Sequence, residues 1–212
     1  MEYIAASCVI SDGTVYKDEK IVFEDKEALL TFFLPAVYQH FHCQHSRFYK
    51  MDNPSKLGWL AAELLLKDGF RAADYRPEET GIVLSNSSSS LDTDIKYAET
   101  LNDIPSPSVF VYTLPNIMIG EICIRHNFKG ENAFFLSESF DTVFIAQYVS
   151  HLMRQEICRV CICGWVQLLG EEYKAGLFLV EGEGMAREKG RAAPEYLFTS
   201  KNMDRIFQTL NA

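Results

Sequence analysis

Apolar positions along the chain fall into short continuous runs and helical stripes, in alternation. Residues 3–10 (Tyr-Ile-Ala-Ala-Ser-Cys-Val-Ile) form an apolar, β-branched run that stops at Ser11-Asp12-Gly13, which predicts a strand closed by a turn. Gly81-Ile-Val-Leu-Ser85 has no charged position, the pattern of a strand covered on both faces, and such strands belong to parallel sheets beneath helices. Further strands are predicted at 133–136, 159–166 and 175–181, the last two joined by the turn that begins at Gly170. Between them lie helical stripes. Residues 27–42 place Leu29, Leu30, Phe33, Leu34, Val37 and Tyr38 at helical spacing, with Pro35 expected to break or kink the element. Residues 56–67 carry Leu57, Leu60, Ala61, Leu64 and Leu65 on one face, with Ser55 as N-cap and a stop at Lys67-Asp68-Gly69. Helices are also predicted at 92–101, opened by Asp92, at 118–125 after Asn116, at 140–154 and at 201–210; Val109–Tyr112 reads as strand or extended chain.

This alternation predicts an α/β protein with one mixed, mostly parallel sheet and helices on both faces. Residues 1–181 are expected to form the domain. Gly182 to Pro194, rich in glycine, charge and alanine, reads as a loop or linker, so 182–212 is a loop followed by a short C-terminal helix.

Composition narrows the function classes. The 212 residues are 48% hydrophobic, enough for a sizeable core. Lys and Arg total 20 against 29 Asp and Glu, a formal charge of −9, which argues against gripping nucleic acid or anionic lipid through bulk charge. No uncharged run approaches the ~18 residues of a membrane helix. The N-terminus has no basic region preceding its apolar run, so no signal peptide is expected, and a cytoplasmic chain with its six cysteines reduced follows.

Four clusters have candidate chemistry. His40-x-His42-Cys43-x-His45 has the residue types of a metal site, but its spacing fits no compact zinc signature, and a helix end with polar side chains is the plainer reading. Cys158-x-x-Cys161-x-Cys163 has no second donor pair downstream and reads as a buried strand that uses cysteine as a small apolar residue. The run Ser85–Ser90 lacks the glycines and lysine of a phosphate loop and reads as a polar loop at a strand end. From Gly130 to Phe140 a short strand runs straight into a helix, a junction that exposes a side chain at a helix N-terminus, although serine there is most often an N-cap.

The stretches preceding that junction carry a resemblance. Ser106-Pro-Ser-Val-Phe-Val-Tyr-Thr-Leu-Pro-Asn116, then Gly120-Glu-Ile-Cys-Ile124, then Phe128-Lys-Gly130 resemble the β-ketoacyl synthases of the thiolase fold. Tyr3 to Gly13 is similar to that family's first strand and turn, Met51-Asp52 through Leu66 to its helix after an Arg-Met-Asp element, and Gly81 to Ser87 to its Gly-Val-Val strand and loop. The resemblance spans about residues 3–181.

The resemblance implies that Ser139, or Glu138 with a slip of one, stands where the family has its nucleophilic cysteine. The family's two histidines and lysine come from a C-terminal half that the matched stretches do not reach. A non-catalytic subunit of the chain-length-factor type is therefore expected. It would be a half-length ketosynthase-like chain that pairs with an active ketosynthase and meets an acyl carrier protein in fatty acid, polyketide or polyene synthesis. The resemblance places Ala133, Phe134, Phe135 and Leu136 at the dimer interface and calls for no cofactor and no metal. Two other functions remain open at this point: an acyltransferase or hydrolase that uses Ser139, and a scaffold on the same fold.

Overall fold

The computed structural model describes residues 1–182 and 196–208. In chain order the elements are β1 (Glu2–Ser11), β2 (Thr14–Lys17), β3 (Lys20–Glu24), α1 (Leu30–His40), α2 (Asn53–Leu66), β4 (Thr80–Asn86), α3 (Leu91–Thr100), α4 (Pro107–Phe110), α5 (Ile117–His126), β5 (Asn132–Leu136), α6 (Thr142–Arg154), β6 (Val160–Leu169), β7 (Glu172–Gly182), β8 (Tyr196–Leu197) and α7 (Ser200–Gln208). One sheet runs β3-β2-β1-β7-β6-β4-β5, and β8 pairs with β1.

Side chains alternate across this sheet into two cores. On one face α1, α2 and α5 cover Ile10, Ile162, Leu177 and Leu179. On the other, Ile145, Val149 and Leu152 of α6 and Met203 and Ile206 of α7 meet Val9, Val83, Phe178 and Val180. The Cys161 and Cys163 side chains also belong to this second core, with both residues fully buried. The strand is thus built as the sequence predicts, with small apolar cysteines beneath a helix. At Gly176 of β7, a Cβ would stand 2.3 Å from the Phe207 ring, so only glycine lets α7 lie this close.

The mixed sheet with helices on both faces is the predicted architecture, with a different balance of directions. Among the described strands only the pairs β4–β5 and β4–β6 are parallel. The pairs β1–β2, β2–β3, β1–β7, β1–β8 and β6–β7 are antiparallel. Connection length is one physical reason: the links from β4 to β5 and from β5 to β6 carry helices, whereas β1, β2 and β3, and likewise β6 and β7, follow one another through turns too short to cross the sheet. Strands β2 and β3 add a hairpin extension beyond the predicted turn at Asp12-Gly13.

Several element ends move for local reasons. Helix α2 is capped by Asp52, whose carboxylate accepts the Ser55 N–H at 3.0 Å, so Ser55 lies inside the first turn behind Pro54, which is suited to that turn. Its left-handed stop is Asp68 (φ 66°) and not Gly69. Pro35 lies inside α1 without ending it. The Val109–Tyr112 segment is not a strand: Ser106 accepts the Val109 N–H and Pro107 opens the short α4. Helix α6 starts at Thr142 with Asp141 as cap, which leaves Phe140 outside it. The predicted loop at 182–194 falls, from residue 183 onward, outside the described residues, as does the end of the predicted 201–210 helix.

Candidate subunit edge and nucleophile position

β5 ends the sheet. It pairs with β4 alone, Ala133 opposite Val83 and Phe135 opposite Ser85, and its other side has no strand among the described residues. The preceding loop sets its position. The Lys129 N–H donates to the Pro77 carbonyl at 2.8 Å, and a Cβ on Gly130 would stand 2.3 Å from the Thr80 carbonyl oxygen. The backbone can cross under the start of β4 only because Gly130 has no side chain.

Phe134 and Phe135 point to opposite faces, as adjacent strand residues must. Phe134 packs against the α2 and α5 core, and Phe135 packs edge-on against Phe144 and Tyr148 of α6. Leu136 is 60% exposed, and the flanking Leu114, Val143 and Phe144 are 57%, 54% and 38% exposed. The edge and its flanks are therefore apolar and open.

The chain then turns into α6. Ser137 donates its hydroxyl to the Ser139 carbonyl at 2.8 Å, and Asp141 accepts the Phe144 N–H at 2.9 Å. Phe140 anchors the turn among Trp165, Phe178 and Phe207. Thr142 is tied to α7 by its hydroxyl on Asp204 at 2.9 Å. Ser139 and Glu138 are both exposed. Among the described residues the Ser139 hydroxyl has no hydrogen-bond partner. His126 is engaged elsewhere, 3.5 Å from Glu63 at the far end of α5, and burial holds its imidazole below the ordinary value. His151 is exposed and lies some three turns along α6. A serine needs a general base to attack a thioester near neutral pH, and none stands beside this one.

Behind Phe134, at the C-terminal end of β4, Asp52, Asn86, Ser90, Tyr112 and Met118 line a void of about 10 Å³, room for one water at most. The serine run spends its polar groups locally. Asn86 exchanges hydrogen bonds with the Ser89 backbone at 2.8 and 2.9 Å, and Ser87 bonds to Gln167 at 3.0 Å. Asp52, besides capping α2, accepts the Thr93 hydroxyl, and burial raises its carboxyl above the usual range.

One polar group escapes any reading by sequence position. Glu121, in the apolar helix α5, is buried, and its Oε1 accepts from Arg47 at 2.8 Å and from Tyr112 at 3.1 Å. Burial, and then Glu121, push the Tyr112 phenol up to about 12. A single charge inside the run Ile117–Ile124 is the signal that marks it. The histidine cluster disperses: His40 packs on Phe23 and Phe41, while His45 stacks on Trp59 at 5.1 Å beside Glu121. Among the described residues no group of three His, Cys, Asp or Glu side chains is placed to hold a metal. Nor is any described helix long and apolar enough to cross a membrane.

No protein-family model matches the sequence, and no curated protein matches it. Solved structures do. The ishigamide ketosynthase/chain length factor aligns at a TM-score of 0.66 and 18% identity, over 87% of this chain and 63% of the other. A type II polyketide synthase structure, AntDE with the acyl carrier protein AntF and a bound hexaketide, aligns at 0.64 and 16%, over 90% and 65%. The ketosynthase ApeO in complex with its chain length factor ApeC, from Xenorhabdus doucetiae, aligns at 0.56 and 10%, over 99% and 92%. This chain thus has the thiolase-like fold of ketosynthase and chain-length-factor structures. It spans about two thirds of the length of the first two and nearly all of the third.

Proposed function

We propose that this chain is a non-catalytic, ketosynthase-like subunit of the chain-length-factor type. It pairs through β5 with a catalytic ketosynthase and serves acyl chains carried on an acyl carrier protein in the cytoplasm. The observation that carries the proposal is the β5–α6 junction. An open apolar strand edge leads into a turn where Ser139, which the resemblance aligns with a cysteine nucleophile, is exposed with no histidine beside it among the described residues. Ala133, Phe134, Phe135 and Leu136 form the interface strand, and the partner's equivalent strand continues the sheet across it. The ketosynthase and chain-length-factor complexes that share this fold support the pairing.

In this role Ser139 and Glu138 shape the junction and form no acyl-enzyme. The void behind Phe134 is too small for an acyl chain, so room for one is built jointly with the partner. The test is co-expression with ketosynthases encoded nearby, followed by native mass measurement and incubation with a radiolabelled acyl-carrier thioester. A heterodimer labelled on the ketosynthase cysteine alone is expected. Stoichiometric label on Ser139 supports the acyltransferase or hydrolase reading instead. A chain that stays apart from every candidate ketosynthase leaves the scaffold reading.

A further inference from the structure

The cysteines around the start of β6 are arranged in a way that subunit pairing does not require. Cys158 precedes β6, in the turn that closes α6. Glu156 there is left-handed (φ 57°), and the Ile157 N–H returns to the Leu152 carbonyl at 3.0 Å. The Cys158 sulfur rests over the β4 backbone: a Cβ on Gly81 would stand 3.3 Å from it. The parallel-sheet partner of Gly81 is Cys161. The missing side chain at Gly81 thus sets Cys158 and Cys161 against the same glycine, where the Cys161 thiol donates to the Ile162 carbonyl at 3.6 Å. Cys158 also lines a cavity of about 680 Å³, whose rim mixes arginines with carboxylates, Arg76 and Arg159 near Glu79 and Arg154 near Glu2. Cys158 is only 2% exposed, and Cys161 is fully buried behind it.

We propose that Cys158 and Cys161 form a peroxide-sensitive dithiol, with Cys158 attacked through this cavity and Cys161 resolving it. The Cys158 thiolate attacks one oxygen of hydrogen peroxide. The O–O bond breaks, hydroxide leaves and takes up a proton as water, and Cys158 becomes a sulfenic acid. The Cys161 sulfur then attacks the Cys158 sulfur, its proton leaves with the sulfenic oxygen as a second water, and a disulfide forms. Two thiols are oxidised and one peroxide is reduced to two waters. The roles follow from the surroundings. Cys158 lines the cavity while Cys161 is fully buried behind it, and the neighbouring Cys161 holds the Cys158 thiol below its ordinary value against the opposing effect of burial, whereas Cys158 and burial push Cys161 well up. A disulfide needs the sulfurs at ~2.05 Å, and Cys158, in a turn outside the strand and set against the same glycine as Cys161, is the member that moves to close the distance.

Tryptic cleavage after Arg159 separates the two residues, so the bond reads as a link between peptides 155–159 and 160–174. Treatment of the full chain with hydrogen peroxide, then alkylation and non-reducing peptide mapping, should give this linked pair. It should weigh two hydrogens less than the free peptides together, and reductant should split it. The link should form before the half-buried Cys43 and Cys123 lose their free-thiol label. It should survive in Cys163→Ser. In Cys161→Ser it should vanish and leave a Cys158 sulfenic acid that dimedone traps. If the 155–159 peptide stays a free thiol while Cys43 or Cys123 oxidises, or if a link persists in Cys161→Ser, the proposal fails. The wild-type map needs no variant to fold.

Discussion

The two ends of the sheet are built to opposite specifications. At one end β3 reads Lys-Ile-Val-Phe-Glu, with Lys20 and Glu24 on its edge and Lys26 paired to Glu24 at 3.0 Å. Arg205 holds Glu19 by two hydrogen bonds, 2.8 and 3.2 Å long, just before that strand. At the other end β5 reads Asn-Ala-Phe-Phe-Leu, without a charge, and its exposed flanks are Leu114, Val143 and Phe144. Charges on an edge strand discourage pairing with another chain, because joining would strip them of water without partners. A free edge without them is a template for pairing. The difference is why the proposed interface is placed on β5 and not on β3.

The largest expected effect tests this directly. Leu136→Asp places a carboxylate on the β5 edge at a site 60% exposed, so the fold should survive. Affinity for the ketosynthase should fall by two orders of magnitude or more, about 3 kcal/mol, by calorimetry or co-purification. The matched change on the other edge, Ile21→Asp at 57% exposure, should leave the complex unchanged. Equal losses from both variants would erase the distinction between the edges.

Next in size is a change that misplaces β5 without touching its surface. Gly130→Ala drives a Cβ against the Thr80 carbonyl and should cost about 3 kcal/mol of stability by denaturant melts, with weaker pairing as a consequence. A variant as stable as the parent would show that the loop relaxes freely. Ser139→Ala comes third. It should leave heterodimer turnover within about twofold, because a general nucleophile would cost many powers of ten. A collapse of acyl transfer would restore a catalytic role.

The smallest effect concerns a group remote from both edges. Burial holds the His126 imidazole below its ordinary value of 6.5. The unfolded chain therefore binds this proton at a higher pH than the folded one. The stability associated with the neutral imidazole is complete above about 6.5, and it drains away as pH falls from there to the folded value. Melting temperature should drop on acidification through that window, and His126→Gln should flatten the slope while leaving ketosynthase pairing intact. An unchanged slope would place the acid sensitivity elsewhere.

Much of this was legible in the chain itself, and unevenly so. The uncharged run at 81–85 announces a strand covered on both faces, and β4 is buried along its whole length. The leucine stripe of α2 and the turn at Gly170 were likewise readable, because their period and turn residues are local properties of the backbone. A special role for Ser139 rests on resemblance alone, since nothing in a serine before a helix distinguishes a nucleophile position from an ordinary turn.

Three outcomes went beyond the reading of the sequence. The segment Val109–Tyr112, read as strand or extended chain, instead completes and follows the short helix α4, which Ser106 caps and Pro107 opens, with the Ser106 N–H on the Thr100 hydroxyl at 3.2 Å. The sheet is largely antiparallel away from β4: short turns set β1–β2–β3 and β6–β7, and the pairing of β1 with β7, a neighbour most of the chain away, joins them. And β5 became an edge because no other described strand takes the place beyond it. Periodicity states which residues want burial; it carries no information about which distant segment supplies it. Strand order, direction and edge status are facts about pairs of segments, and only the folded chain brings the pairs together.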